Sequence, residues 1–141
     1  VGDTENVATI SLSGKFVNDP NLEGSRYAQY KEEYNYDFSR QLNLAAYNAL
    51  QAKGNSIFTY VSLYDQNIDL PGTALGSFAL NGSGTVLFEV KGQTQNFGQK
   101  MNGQLVKTVE TGLMGIINAV TDNSVYQLNP EDYENIPPST R

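Results

Sequence analysis

Apolar and polar residues alternate along the first patterned stretch of the chain, Val7 to Val17. Ala8, Ile10, Leu12, Gly14 and Phe16 share one side; Thr9, Ser11, Ser13 and Lys15 share the other. A period of two with one polar side predicts a strand. The turn formers of NDPNLEG, Asn18 to Gly24, predict a loop after it. The period then changes. Tyr27, Tyr30, Tyr34, Phe38, Leu42, Ala45 and Ala49 follow one another in steps of three and four, the spacing of one helix face. Gly54 after Lys53 supplies a C-terminal stop. The pattern predicts a helix over Phe38 to Lys53. Before it lies a turn or a helical extension from Arg26, with Asp37 as the N-cap if the two are separate.

Period two returns at SIFTYVSLY, Ser56 to Tyr64, where both sides carry apolar residues. That is the signature of an interior strand. DQNIDLPG, Asp65 to Gly72, reads as a loop. Ala74 to Leu80 and Thr85 to Lys91 read as two paired strands around NGSG, with Asn81-Gly82 as the hairpin signal. Gly92 to Gly103 is polar, a connection or an edge strand. A second helix is predicted from Gln104 to Thr121. Its stripe is Leu105, Val109, Leu113, Ile116 and Val120, widened by Val106 and Ile117. Beside that stripe runs a strip of small residues, Thr108, Gly112, Gly115 and Ala119. Glycine inside a helix costs about 1 kcal/mol relative to alanine, so close approach of another backbone, from this chain or a neighbour, is expected there. Ser124 to Leu128 reads as a short strand. The tail 129–141 has no core pattern and contains Pro130, Pro137 and Pro138. The expected fold is one α+β domain over 1–141. Two amphipathic helices would cover one face of an antiparallel sheet of four to five strands, followed by an irregular polar tail.

Composition narrows the chemistry. The 141 residues contain no cysteine and no histidine. Disulfides, thiol nucleophiles and cysteine-based metal sites are therefore excluded, as are Ser-His-Asp and HExxH sites. The net charge of −6, with nine Lys and Arg, argues against a broad phosphate-binding face. Charged residues are only 17%, so the polar surface is built largely from amides, hydroxyls and tyrosines; this suits an extracellular, cell-surface, periplasmic or virion setting. No apolar run is long enough for a membrane span. The first residues, VGDTENVATI, lack the basic start and apolar core of a signal peptide.

Few residues invite a site. Asp65, Asn67 and Asp69 alternate as oxygen ligands do at the start of an EF-hand loop, but Leu70 holds the glycine position and Gly76 the glutamate position. Asn81-Gly82-Ser83 matches the N-glycosylation sequon. The carboxylate pairs Glu32–Glu33 and Glu131–Asp132 are sequence neighbours, which do not share a helix face. No catalytic, cofactor-binding or metal-ligating residue is nominated. The leading expectation is a non-enzymatic, self-assembling structural protein, a surface filament, shell or virion component, whose partners are copies of itself or other proteins. Its candidate self-association residues are Tyr27, Tyr30, Tyr34, Tyr36, Gly112 and Gly115. Tyr36, off the helical stripe, is the ring expected to meet a neighbour. One alternative is an extracytoplasmic accessory or binding domain. The order of elements around ALQAKG is similar to that of small envelope lipoproteins, although the lipoprotein cysteine is absent. Another is an apolar-ligand pocket lined by Phe78, Phe88, Tyr60 and Val86.

Overall fold

In the computed structural model, residues 10–54, 59–90 and 99–139 are described. Strand β1 is Ile10–Ser13, the centre of the longer strand expected. Helix α1 is Tyr36–Gln51, and strand β2 is Val61–Leu63. Helix α2 is Ala74–Leu80, strand β3 is Leu87–Val90, and helix α3 is Gln99–Thr121. Residues 7–9, 56–58 and 91–98, which the sequence reading assigned to strands or to a polar connection, lie outside the described residues.

The fold class is α+β, as expected, but the sheet is smaller and mixed. Among the described residues, three strands run in the order β2-β1-β3. β1 pairs in parallel with β2, Ile10 opposite Val61 and Leu12 opposite Leu63. It pairs antiparallel with β3, Leu12 opposite Phe88. A parallel pair needs a long crossover, and the segment carrying α1 provides it. Ile10, Leu12, Val61 and Leu63 share one sheet face and build the core with Leu44, Ala46 and Leu50 of α1. Asn35, not Asp37, caps α1: its side chain accepts a hydrogen bond from the Phe38 amide at 3.1 Å.

Two expected strands are helical turns. Ala74–Leu80 is helix, because Pro71-Gly72 makes the turn before it and Thr73 Oγ1 caps its start by accepting from the Gly76 amide. The Asn-Gly pair then ends a helix instead of closing a hairpin. Asn81 is the C-cap and Gly82 follows at φ +86°. Both uses need the same left-handed residue, so the dipeptide fits either. Ser124–Gln127 is a 3-10 turn with Val125 fully buried, set off from α3 by Asn123 at φ +62°.

The tail is also structured. Pro130–Asn135 forms a 3-10 turn. It sends Tyr133 and Ile136 into the main core, where they are 0% and 1% exposed. The Tyr133 hydroxyl accepts from the Gly14 amide at 3.1 Å and donates to Gln66 Oε1 at 2.8 Å. The Leu63 amide donates to the Pro137 carbonyl at 2.7 Å, and Leu63 bridges to Pro138 on the edge of β2 away from β1. Arg40 reaches Asp37 at 2.6 Å on its own helix and Glu131 at 3.1 Å on the tail. The docking partner of this segment is therefore its own chain.

Candidate functional site

The tyrosines of the opening half do not form one helical face. A 3-10 turn at Ala28–Tyr30 and further turns separate them from α1. Tyr27 is buried, packed with Val17 and Leu80 in a small second cluster that Tyr30 and Tyr34 flank. Its hydroxyl donates to Asp69 Oδ1 at 2.9 Å. Asp69 also accepts from the Asn18 amide at 3.0 Å and from Arg26 Nη2 at 2.6 Å. Arg26 lies over the Tyr27 ring at 4.8 Å. Tyr34 and Tyr36 stack at 6.3 Å between centroids, and Tyr36 meets Tyr133 edge-on at 6.2 Å. Arg40 covers Tyr36 at 5.0 Å. Tyr36, expected on the surface, is thus half-buried in a ring sequence completed by the tail.

Gly112 and Gly115 sit where α3 crosses α1. A Cβ on Gly112 would run into the Phe88 ring. One on Gly115 would strike Ala49 Cβ and come within 2.9 Å of the Ala45 carbonyl. The backbone approach that the small-residue strip announced is made inside the chain.

That use of the small strip leaves α3 turned the other way from the expected packing. Leu105, Thr108 and Gly112 are buried, and Gly115, Ile116 and Ala119 are half-buried. The large apolar residues of the opposite face point outward: Val106 is 67% exposed, Ile117 53%, Leu113 and Met114 44%, and Val120 41%. Leu113 and Val120 had been placed on the inward stripe; both lie outside. Contiguous exposed apolar surface on a folded domain marks an interaction site more often than chance. The sequence carried this signal as an apolar arc wider than one contact can cover, with Val106, Leu113, Ile117 and Val120 lying beside the strip of small residues.

The acid–base chemistry is quiet. Burial pushes Asp69 up, but the Asn18 amide, the Tyr27 hydroxyl and the Arg26 charge outweigh it and hold the carboxyl below its ordinary value. Lys107 holds Glu110 down through a hydrogen bond and its charge, and the Ser124 hydrogen bonds do the same for Asp122. These three carboxylates stay ionised, the reverse of what a general acid needs. Burial pushes the Tyr34 phenol up to about 12 and raises Tyr36 and Tyr133 as well. Asp65 accepts from the Asn67 amide in a local turn while Asp69 is held by Arg26. Among the described residues no group of three or more acidic side chains could hold a metal ion. Among them, too, no helix is long and apolar enough to cross a membrane. The expected ligand pocket is split: Phe88 and Val86 pack on the main core, whereas Phe78 and Tyr60 are exposed. A shallow open groove of about 360 Å³ lies instead beside Arg26, Gln29, Tyr30, Ser77 and Asn81.

No family model matches the chain, and no curated protein and no solved structure matches it.

Proposed function

We propose that this chain is a non-enzymatic structural subunit that associates with copies of itself, as part of a surface filament, shell or virion. The outward apolar face of α3 carries the reading: Val106, Leu113, Met114, Ile117 and Val120 are all exposed on this one helix, whereas Leu22, Tyr60, Leu70, Phe78 and Tyr126 are exposed on separate segments. Covering such side chains is worth about 25 cal/mol per Å² of apolar area removed from water. The absence of histidine and cysteine supports the non-enzymatic half. The tyrosines and glycines first nominated are engaged within the chain, so the association surface is re-placed on α3. Sedimentation velocity over a wide range of protein concentration tests the reading. Mass rising with concentration supports it; a strict monomer at the highest concentration overturns it.

The groove beside Arg26 and Tyr30 favours a second reading, an extracytoplasmic accessory domain that binds a small polar ligand. Its lining mixes a cation, tyrosine rings and side-chain amides, groups that suit a sugar or a peptide. Chemical-shift changes confined to Gln29, Tyr30 and Asn81 on titration with simple sugars would favour it over self-assembly.

A further inference from the structure

The exposed residues of α3 are spaced as a helix-pairing seam. Val106, Glu110, Leu113, Ile117 and Val120 follow in steps of four, three, four and three, the 3.5-residue average of a two-stranded coiled coil. Four of the five are apolar, and each of those four is more than two-fifths exposed. The seam is self-complementary in only one sense. In a parallel, in-register pair, Glu110 would face Glu110 of the second copy between two apolar layers, and like charges in that position repel. In an antiparallel pair centred between Leu113 and Ile117, each Leu113 meets the other copy's Ile117. Glu110 then moves to the end layer beside Val120, where its carboxylate stays in water. The same alignment lays Met114 against its own symmetry mate. It also brings Lys107 of each copy to the Thr121–Asp122 end of the other. Lys107 pairs with Glu110 at 2.8 Å, and Asp122 is exposed and ionised, so each end of the pair carries charges of both signs and no like-charge layer is buried.

We propose that α3 is a two-fold interface that pairs antiparallel with α3 of a second copy through Leu113, Ile117 and Val120. This rests on the self-association reading and gives it a surface and an orientation. A two-fold interface uses the same patch on both partners and closes on itself. It makes a dimeric building unit, and any further growth must use a different surface.

The cysteine-free chain makes the test clean. Single-cysteine chains Glu110→Cys and Val120→Cys are mixed and oxidised mildly. Antiparallel pairing predicts a disulfide-linked product in the mixture and little from either chain alone. Each residue is ten positions from its own counterpart along the pair, about 15 Å at the helical rise, beyond the roughly 7 Å reach of a disulfide. In parallel, Leu113→Asp with Ile117→Asp is predicted to weaken dimerisation at least tenfold while leaving the far-ultraviolet spectrum unchanged, since both positions are on the surface. If Val120→Cys links to itself as readily as to Glu110→Cys, the antiparallel assignment falls. If association persists in the double aspartate chain and no mixed product forms, α3 is not the interface, although self-association stands. If the unaltered chain is monomeric throughout, both fall.

Discussion

One carboxylate, Asp69, joins three segments: the Asn18 amide, the Tyr27 hydroxyl and the Arg26 guanidinium all donate to it. Its folded-state value lies below the ordinary one. The stability it contributes is therefore complete above about pH 4 and is lost as pH falls through the folded value. The ion pair is exposed on the Arg26 side, so the contribution is modest. Urea denaturation should show Asp69→Asn weaker than the parent at pH 7, with the gap closing as pH falls through the folded-state value of Asp69. A gap that stays constant across the acid range would contradict this account. The tyrosines behave in the opposite sense. Burial favours their neutral form, so the stability they contribute is full below about pH 10 and declines as pH rises from there towards 12. The tyrosinate absorbance of Tyr34, Tyr36 and Tyr133 should rise only well above pH 10, together with loss of structure. The sequence showed how many rings there were and how they were spaced. It did not show that Asp69 would turn to Tyr27, or Arg40 to Glu131, because those partners are far apart along the chain.

At the scale of elements, the α1–α3 crossing decides how the domain is built. Alanine is ordinarily the better helix former by about 1 kcal/mol. In Gly112→Ala the new methyl meets the Phe88 ring; in Gly115→Ala it meets Ala49 and the Ala45 carbonyl. Overpacking of this kind costs about 1–3 kcal/mol. Both substitutions should therefore lower the denaturation midpoint despite better propensity, Gly115→Ala more severely because backbone cannot rotate aside as a ring can. An unchanged or raised midpoint would mean that the helices stand further apart. The existence of α1 and α3, and the tight approach at the glycines, were legible from period and residue size. The face that α3 turns inward was not. Two apolar arcs compete on that helix, and the small one is used because Gly112 and Gly115 let α3 approach the Phe88 ring, Ala49 and the Ala45 carbonyl more closely than a Cβ would allow. The candidate interface was hidden by the same ambiguity: Leu113, Ile117 and Val120 read as core until α1 is seen to occupy the other side. α2 was misread because ALGSFAL satisfies either period over so short a run, and Asn-Gly serves a helix end as well as a hairpin.

For the whole molecule, the tail closes the core. Nothing local marks it, since Tyr133 and Ile136 stand among polar residues and prolines. Yet both are fully buried with Ile10, Leu12, Val61 and Leu63. The parallel pairing of β1 with β2 was hidden for a related reason: strand patterns give a face and not a partner, and only the crossover through α1 fixes the direction. Arg40 and Gln41 hold the tail from α1, and the Leu63 amide holds it from the sheet. Removing a buried aromatic residue costs about 3–5 kcal/mol and a buried isoleucine about 2–5. A domain of this size has a total stability of about 5–15 kcal/mol. A chain ending at Leu128 loses both residues, together with the Tyr133 hydrogen bonds, and should fail to unfold cooperatively at 25 °C. Tyr133→Phe keeps the ring but leaves the Gly14 amide without its acceptor, at a cost of about 1–3 kcal/mol. It should remain folded with a lower midpoint. Near-ultraviolet circular dichroism during urea titration separates the two outcomes. If the truncated chain retained a native spectrum and a sharp transition, the tail would be an accessory strap, and α1 with the three strands would suffice as the core. If Tyr133→Phe collapsed as fully as the truncation, the hydroxyl, and not the ring, would be what joins the tail to β1.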